Sequence, residues 1–182
     1  MTQRQSAQLT LPVGPRDHAQ GREDVPLTLV EYGDYQCPYC GQADATVKEL
    51  QRRLGDDLRF VFRNFPLTEV HEHAEHAAEA AEAAEAAGAQ GQFWPMHDTI
   101  FAHQRALDDA HLEGYAAALG LDQDRFVRDM SGHANHARIE EDYNSGVDSG
   151  VPGTPTFFIN GARHDGAFDL DALLQALEAA RI

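Results

Sequence analysis

The two cysteines of this 182-residue chain lie within one tetrapeptide, Cys37-Pro38-Tyr39-Cys40. Two thiols at this spacing can form and break a disulfide when the first opens a helix and the second lies one turn further along. At the start of a helix, Cys37 would face unpaired backbone N–H groups and the positive end of the helix dipole, which favour its thiolate. The spacing therefore predicts that Cys37 is an exposed nucleophile and that Cys40 is a buried resolving thiol.

The residues around the tetrapeptide predict a strand, a redox loop and a helix. Residues 27–32 alternate apolar and polar side chains and are rich in strand formers. Pro38 suits the first helical turn, because it lacks the N–H group that would be unpaired there. Gly55 is typical of a helix C-terminus. Between them, apolar residues recur at helical spacing: Ala43, Val47, Leu50 and Leu54.

Two other uses of a cysteine pair are an inert pair and one half of a zinc site. A closed structural zinc site needs four ligands, and the chain has no further cysteine. His71, His73 and His76 form a cluster in which His73 and His76 could share a helix face, as metal ligands do. No cysteine or carboxylate joins them at motif spacing. We therefore expect no metal and no cofactor, and metal binding by these histidines stays open.

A second motif lies far along the chain, where Gly153-Thr154-Pro155 precedes the apolar run 156–159. Together with the cysteine pair after a strand, it resembles the thioredoxin superfamily, specifically its DsbA-like branch. The resemblance implies an α/β, thioredoxin-like fold with a helical insertion and thiol-disulfide oxidoreductase activity. It also implies that Pro155 is cis and packs against the cysteines, so that the backbone of Thr154 can pair with an extended substrate. A trans proline opening a strand is the alternative.

The resemblance assigns roles to further residues near the cysteines. Glu31 matches the buried acid of DsbA-like proteins, where a carboxyl of raised pKa can take the proton of Cys40. A surface glutamate at a strand end is the alternative. Pro38 and Tyr39 would tune the redox pair, and because a phenol adds no positive charge at neutral pH, Cys37 should be activated less than in the most oxidising relatives. Cys-Pro-Tyr-Cys also resembles the glutaredoxin active site, but the long helical insertion departs from the glutaredoxin plan.

Hydrophobic periodicity separates strand patterns from a long helical stretch. The resemblance then implies an N-terminal extension, a thioredoxin-like core in two pieces and an inserted helical domain: residues 1–20, 21–66 with 150–182, and 67–149. Within the insertion, residues 72–87 are nearly all Ala and Glu and predict a strong helix with a narrow packing face. Near the C-terminus, Asn160-Gly161 predicts a type I′ hairpin. Asp169 is expected to cap the final helix.

Charge and composition restrict the partners. With 14 basic and 30 acidic residues, the chain carries a net charge of −16, which argues against nucleic acid and anionic membranes as partners. No apolar run approaches transmembrane length, and the first eight residues lack the apolar core of a secretory signal. We therefore expect a cytoplasmic protein without membrane insertion. An exported protein whose signal had been removed is the alternative.

Thiol-disulfide exchange is the mechanism that these residues favour. The Cys37 thiolate would attack a substrate disulfide, Cys40 would resolve the mixed disulfide, and the reverse sequence would donate the disulfide to a dithiol. The expected partners are protein or small-molecule thiols and disulfides, together with a redox recycling partner that the sequence does not identify. Three alternatives stay open: a glutathione-linked oxidoreductase, a disulfide isomerase, and a thioredoxin-like binding or redox-sensing module.

Overall fold

A computed structural model describes residues 7–67 and 74–181. Five strands form one sheet: β1 (His18–Gln20), β2 (Leu27–Gly33), β3 (Leu58–Asn64), β4 (Thr156–Ile159) and β5 (Ala162–His164). The helices of the described residues are α1 (Pro38–Leu54), α2 (Ala74–Gly88), α3 (Phe93–Ala102), α4 (Asp109–Ala118), α5 (Gln123–Ser131), α6 (His136–Asp148) and α7 (Leu170–Ala179). None of these helices combines the length and the apolar character that a membrane span requires.

The sheet has the strand order β1-β3-β2-β4-β5, so β2 is its central strand. β2 and β3 run parallel, with Leu27 opposite Leu58 and Gly33 opposite Asn64, and α1 connects them. β1 pairs antiparallel with β3, and β4 pairs antiparallel with β2. A helix that joins two parallel strands within a mixed sheet is an α/β arrangement, so the predicted fold class is confirmed.

Both faces of β2 are buried, and one of them carries an acid. Leu27 and Leu29 are fully buried in the larger core, together with the apolar residues of α1. Val30 and Tyr32 point to the opposite face, into a smaller core. Since side chains alternate along a strand, Glu31 shares the face of Leu29. A carboxyl group therefore lies in an otherwise apolar layer beneath α1.

α1 begins and ends as its sequence predicts. Cys37 is the N-cap residue with an extended backbone, and Pro38 occupies the first helical turn. Gly55 ends the helix with a φ of 51°, a left-handed conformation that glycine adopts without steric cost. The residues that α1 buries are Cys40, Ala43, Val47 and Leu50, which confirms the predicted apolar face, while Leu54 is partly buried at its edge.

α2 is buried more deeply than its sequence predicts. The Ala/Glu pattern predicts one narrow packing face, but every residue from 81 to 87 is buried. Helices α3, α4, α5 and α6 all pack against α2. Glu82 and Glu85 are consequently buried as well, with 5% and 6% of their surface exposed. Alanine side chains let neighbouring helices approach from several sides, and the periodicity of one segment does not reveal how many neighbours it has.

α6 covers the face of the sheet opposite α1. Gly146 of α6 lies so close to the sheet that a Cβ atom there would come within 2.6 Å of the Phe65 ring and 3.0 Å of the Tyr32 ring. The neighbouring Ser145 hydroxyl lies 2.8 Å from the Tyr32 hydroxyl, within hydrogen-bond distance. The absent side chain at Gly146 therefore permits the close packing that encloses the smaller core.

The segment before β2 belongs to the framework of the sheet. β1 pairs with β3, with His18 opposite Phe62, although the sequence places residues 1–20 in an extension. The buried guanidinium group of Arg63 donates to both carboxylate oxygens of Asp17, at 2.9 and 3.0 Å. The sequence did not predict β1, because a strand of three residues is too short to show periodicity. The boundary at residue 20 stays a proposal. The remaining division, with α2 to α6 as an inserted domain, stays a proposal.

Two local predictions near the C-terminus are confirmed. Asn160 and Gly161 have φ values of 47° and 85°, and they form the turn between β4 and β5. The Asp169 carboxylate accepts a hydrogen bond of 3.1 Å from the backbone N–H of Ala172 in the first turn of α7.

Candidate active site

Cys37 lies where β2 leads into α1, against the loop that precedes β4. When Cys37 is protonated, its Sγ–H donates to the backbone carbonyl of Thr154 at 3.5 Å, a contact that joins two motifs 117 residues apart in sequence. The expectation of an exposed sulfur is wrong, because only 4% of Cys37 is exposed. The carbonyl of Thr154 lies against the sulfur and is one of the groups that restrict its contact with solvent.

The surroundings of Cys37 stabilise its thiolate. Its pKa is lowered from 9.0 to about 5, and the largest cause is the hydrogen bond from the Cys40 thiol. The backbone N–H groups of Cys40 and Tyr39 lower the pKa further, whereas burial raises it because a charged sulfur loses its solvation. Cys37 is therefore a thiolate at neutral pH, which is the charge state that nucleophilic attack requires.

Cys40 lies inside the first turn of α1 and is fully buried. Its Sγ accepts a hydrogen bond of 3.4 Å from the backbone N–H of Asp34. Burial, the hydrogen bond to Cys37 and the charge of Glu31 raise the pKa of Cys40 well above its usual value. A neutral Cys40 thiol beside a Cys37 thiolate is the starting state that exchange through Cys37 requires.

Glu31 is buried below the cysteines, with 2% of its surface exposed, so it is not the surface glutamate of the alternative interpretation. It lies between Phe62 of β3 and Phe157 of β4, and its Oε1 has no hydrogen-bond partner among the described residues. Burial, followed by the charges of Asp44 and Cys37, raises its pKa well above 4.5. A carboxylate with a raised pKa is a stronger base than an exposed one, as proton transfer from a thiol requires.

The loop before β4 has the backbone geometry that the resemblance implies. The Thr154–Pro155 peptide bond is cis, so this prediction is confirmed. The Thr156 hydroxyl donates to the carbonyl of Gly153 at 2.6 Å and ties the two ends of the loop together. This arrangement presents the backbone of Thr154 beside the Cys37 sulfur.

Tyr39 supplies an apolar surface at the mouth of the site. Its side chain follows Pro38 in the first turn of α1 and is 60% exposed. The ring makes an edge-to-face contact with Phe168, with 6.4 Å between the ring centroids. Tyr39 therefore places uncharged aromatic surface in the helical turn that follows Cys37.

Asp34 is also part of the site, although it belongs to neither of the two sequence motifs. Its carboxylate accepts hydrogen bonds from the backbone N–H groups of Gln36, at 2.7 Å, and Leu67, at 2.9 Å. Together with its N–H bond to Cys40, these contacts hold the turn between β2 and α1. An aspartate that bonds the backbone two residues further on is a local turn signal, so the sequence did contain a sign of this role.

A group of polar side chains connects α1 to α3. Asp44, His97 and Asp98 each offer an atom of a type that binds metal ions, and these atoms lie within 4.8 Å of one another. The ammonium of Lys48 contacts the two carboxylates at 2.7 and 3.2 Å, so its single positive charge offsets part of their negative charge. This group is therefore an ion-pair cluster of the described part of the chain.

Of the predicted cluster of His71, His73 and His76, the structure describes only His76. His71 and His73 lie outside the described residues. His76 lies 2.9 Å from the carboxylate of Glu79, at hydrogen-bond distance. Metal binding by this cluster stays an open prediction.

Cys37 should react as a thiolate far below the usual pH range of a thiol. Alkylation of the reduced protein with iodoacetamide should increase with pH around a midpoint near 5, while Cys40 stays unreactive. Folding lowers this pKa from 9.0, so the thiolate also adds to the free energy of unfolding of the reduced protein. That addition is complete above about pH 9 and is lost as the pH falls from 9 to 5. Peptide mass spectrometry separates the two sites. A Cys37 midpoint near 9 would contradict the prediction.

The chain is similar to one protein family and to part of several Na⁺/H⁺ antiporters. Residues 28–178 match the family model of the DSBA-like thioredoxin domain. The chain is 50% identical over 173 residues to the Na⁺/H⁺ antiporter NhaA 1 of Salinispora arenicola, covering 94% of this chain and 26% of the antiporter. It is 47% identical over 171 residues to the antiporter NhaA of Herminiimonas arsenicoxydans, covering 93% and 27%. The chain thus spans about a quarter of the length of these curated relatives.

Solved structures share the whole fold. A thioredoxin-like oxidoreductase from Silicibacter pomeroyi has a TM-score of 0.79 and 29% identity, with 92% of this chain and 93% of that chain covered. BdbD from Bacillus subtilis, in its oxidised form, has a TM-score of 0.80 and 23% identity, with 96% of each chain covered. Wolbachia pipientis α-DsbA1 has a TM-score of 0.78 and 21% identity, with 94% of each covered. These matches confirm the predicted thioredoxin-like fold with a helical insertion.

Proposed function

Because this chain belongs to the family of DSBA-like thioredoxin domains, whose members are thiol-disulfide oxidoreductases, we propose that it exchanges disulfides through Cys37 and Cys40. The observation that carries this proposal is the opposite tuning of two thiols within one helical turn. The pKa of Cys37 is lowered to about 5, and the pKa of Cys40 is raised. A pair tuned in this way reacts in a fixed order, with Cys37 first.

In the reductive direction, two displacements transfer two electrons to the substrate. The Cys37 thiolate attacks a substrate disulfide, a mixed disulfide forms, and the first substrate sulfur leaves as a thiolate. Glu31 then accepts the proton of Cys40, and the Cys40 sulfur attacks the sulfur of Cys37. The Cys37–Cys40 disulfide forms, and the second substrate sulfur leaves as a thiolate. The reverse sequence donates this disulfide to a substrate dithiol.

The stabilised thiolate supports donation as the preferred direction. A low pKa of Cys37 stabilises the reduced form of the pair, and a pair whose reduced form is stable has an oxidising disulfide. We therefore assign the protein as a disulfide donor. The neutral phenol of Tyr39 adds no charge of its own beside the thiolate.

Protein thiols are the proposed substrates. The exposed ring of Tyr39 and the backbone of Thr154, at the cis bond to Pro155, flank Cys37 and offer apolar and hydrogen-bonding contacts to an extended chain. The net charge of −16 repels small anionic thiols, which disfavours the glutathione-linked alternative.

DsbA-like proteins act on protein thiols and are recycled by a partner, so we propose a redox recycling partner for this chain. They are also typically periplasmic or exported. This supports the exported alternative over the cytoplasmic expectation.

The redox equilibrium of the cysteine pair tests the proposed direction. The protein is equilibrated in glutathione buffers, alkylated and analysed by mass spectrometry. A Cys37 pKa of about 5 lies between those of DsbA and thioredoxin, so we expect a two-electron midpoint of about −180 mV or above, as for a disulfide donor. A midpoint of about −250 mV or lower would assign a reductase instead. A pair that forms no disulfide in any buffer would contradict exchange itself.

A further inference from the structure

Gln104 reaches the active-site loop from the inserted helices. It lies in the connection between α3 and α4, and its Nε2 donates to the backbone carbonyl of Tyr35 at 2.8 Å and to that of Cys37 at 2.9 Å. A primary amide has two N–H donors, so both are used by the loop that carries the nucleophile. Because both partners are carbonyl oxygens, only the NH₂ end of the amide can make these bonds.

Gly41 provides the space that Gln104 occupies. Gly41 lies in α1, immediately after Cys40, and a Cβ atom built on it would lie 3.0 Å from Cδ of Gln104 and closer still to Oε1. Any residue with a side chain at this position would displace the amide. Glycine weakens the interior of a helix relative to alanine, so its presence in α1 has a steric reason.

We propose that Gln104 is a positioning residue of the active site, which holds the backbone at Tyr35 and Cys37 so that the amides of the first turn of α1 stay directed at the Cys37 sulfur. This inference rests on the proposed function, since it assigns a role in the same exchange site. The side chain of Gln104 links the inserted helices directly to the backbone of the nucleophile. The hydrogen bonds that Gln104 makes with the described residues go to these two carbonyls and not to the sulfur, so it acts through the backbone.

The carbonyl of Cys37 is the point through which Gln104 acts. That oxygen also accepts from the backbone N–H groups of Cys40, at 3.1 Å, and Gly41, at 3.2 Å. The side chain of Gln104 and the first turn of α1 therefore converge on one atom. If the Gln104 bonds are lost, the carbonyl is held by the N–H groups of α1 alone, and the first turn, with the amides of Tyr39 and Cys40, can shift relative to the sulfur. Those amides stabilise the thiolate, so its proton affinity reports on their position.

Gln104→Met tests the role without changing the size of the side chain much. It removes both donors, and we expect the pKa of Cys37, measured by thiolate absorbance at 240 nm, to rise by about half a unit or more. Gln90→Met is the matched control. Gln90 also lies in the helical segment and uses both ends of its amide, on the backbone carbonyl and N–H of Asp122, but it does not contact the active-site loop.

Gly41→Ala tests the same contact from the other side. The added methyl group should displace the Gln104 amide and raise the pKa of Cys37 as Gln104→Met does. In a Gln104→Ala background the space is free, so Gly41→Ala should add no further shift. The two positions are then non-additive, as expected for residues in direct contact. Circular dichroism of each variant establishes that α1 is retained.

The pKa of Cys37 is measurable whether or not the protein exchanges disulfides, so failure of this inference is distinguishable from failure of the proposed function. A parent protein without exchange activity would contradict the function alone. An unchanged Cys37 pKa in both Gln104→Met and Gly41→Ala would overturn the positioning role. An equal shift in Gln90→Met would also overturn it, because the effect would then come from general loosening of the helices.

Discussion

Cys37→Ser is expected to abolish disulfide exchange in an insulin-reduction assay, with a loss on the order of 10³-fold or more, as for other removed nucleophiles. The thiolate of Cys37 is present at neutral pH because its pKa is lowered to about 5. A serine hydroxyl at the same place stays protonated and cannot form a disulfide. The substitution replaces one sulfur atom with oxygen and hardly changes the size of the side chain, so the fold should be retained.

Cys40→Ser is the matched control, because it removes the second thiol of the same helical turn and leaves the first. This variant should still form the mixed disulfide through Cys37 but should fail to resolve it. Covalent complexes with substrate should accumulate on a nonreducing gel, and dithiothreitol should release them. Equal activity of Cys37→Ser and the parent would refute the mechanism, as would complexes that form through Cys40 when Cys37 is absent.

Glu31→Gln is expected to slow the resolution step about 10²-fold, the usual contribution of a general base. Glu31 is buried on the sheet face beneath α1, and its raised pKa suits it to accept the proton of Cys40. The decay of a preformed mixed disulfide between Cys37 and glutathione, followed by stopped flow, measures this step alone. In Glu31→Gln the decay rate of the mixed disulfide should rise steadily with pH, because Cys40 must then lose its proton to solvent.

The same substitution should stabilise the folded protein at alkaline pH. Folding raises the pKa of Glu31, so the stability contributed by the neutral carboxyl is present below about pH 4.5 and is lost as the pH rises through the raised pKa. Glutamine does not titrate. The free energy of unfolding of Glu31→Gln should therefore exceed that of the parent by about 1 to 3 kcal/mol at pH 8. At low pH the two proteins should differ little.

Glu82→Gln separates the catalytic effect from the effect of burial. Glu82 is also buried, with 5% of its surface exposed, and its pKa is also raised, first by burial. It lies in α2, next to His133 and His136. Its replacement should stabilise the protein at alkaline pH and leave the resolution step unchanged. A slower resolution step in Glu82→Gln, or an unchanged one in Glu31→Gln, would contradict the assignment of Glu31 as the base.

Local sequence signals predicted the elements that depend on neighbouring residues. The apolar spacing from Ala43 to Leu50 gives the buried face of α1, and Gly55 gives its end. The turn at Asn160-Gly161 and the cap at Asp169 follow from the conformations and hydrogen bonds of a few consecutive residues. β1 was missed because three residues carry no period and its pairing with β3 spans a long separation in sequence.

The sequence by itself determined which chemistry is available, because two thiols at helical spacing after a strand are a local pattern. Tertiary structure decided how that chemistry is tuned. The contact of Cys37 with Thr154 spans 117 residues and its contact with Gln104 spans 67, so neither has a local signal. The pKa of Glu31 depends on its exclusion from water by strands and helices from distant parts of the chain. Solvation and long-range contacts exist only in the folded molecule, whereas the spacing of side chains along one helix is already present in the sequence.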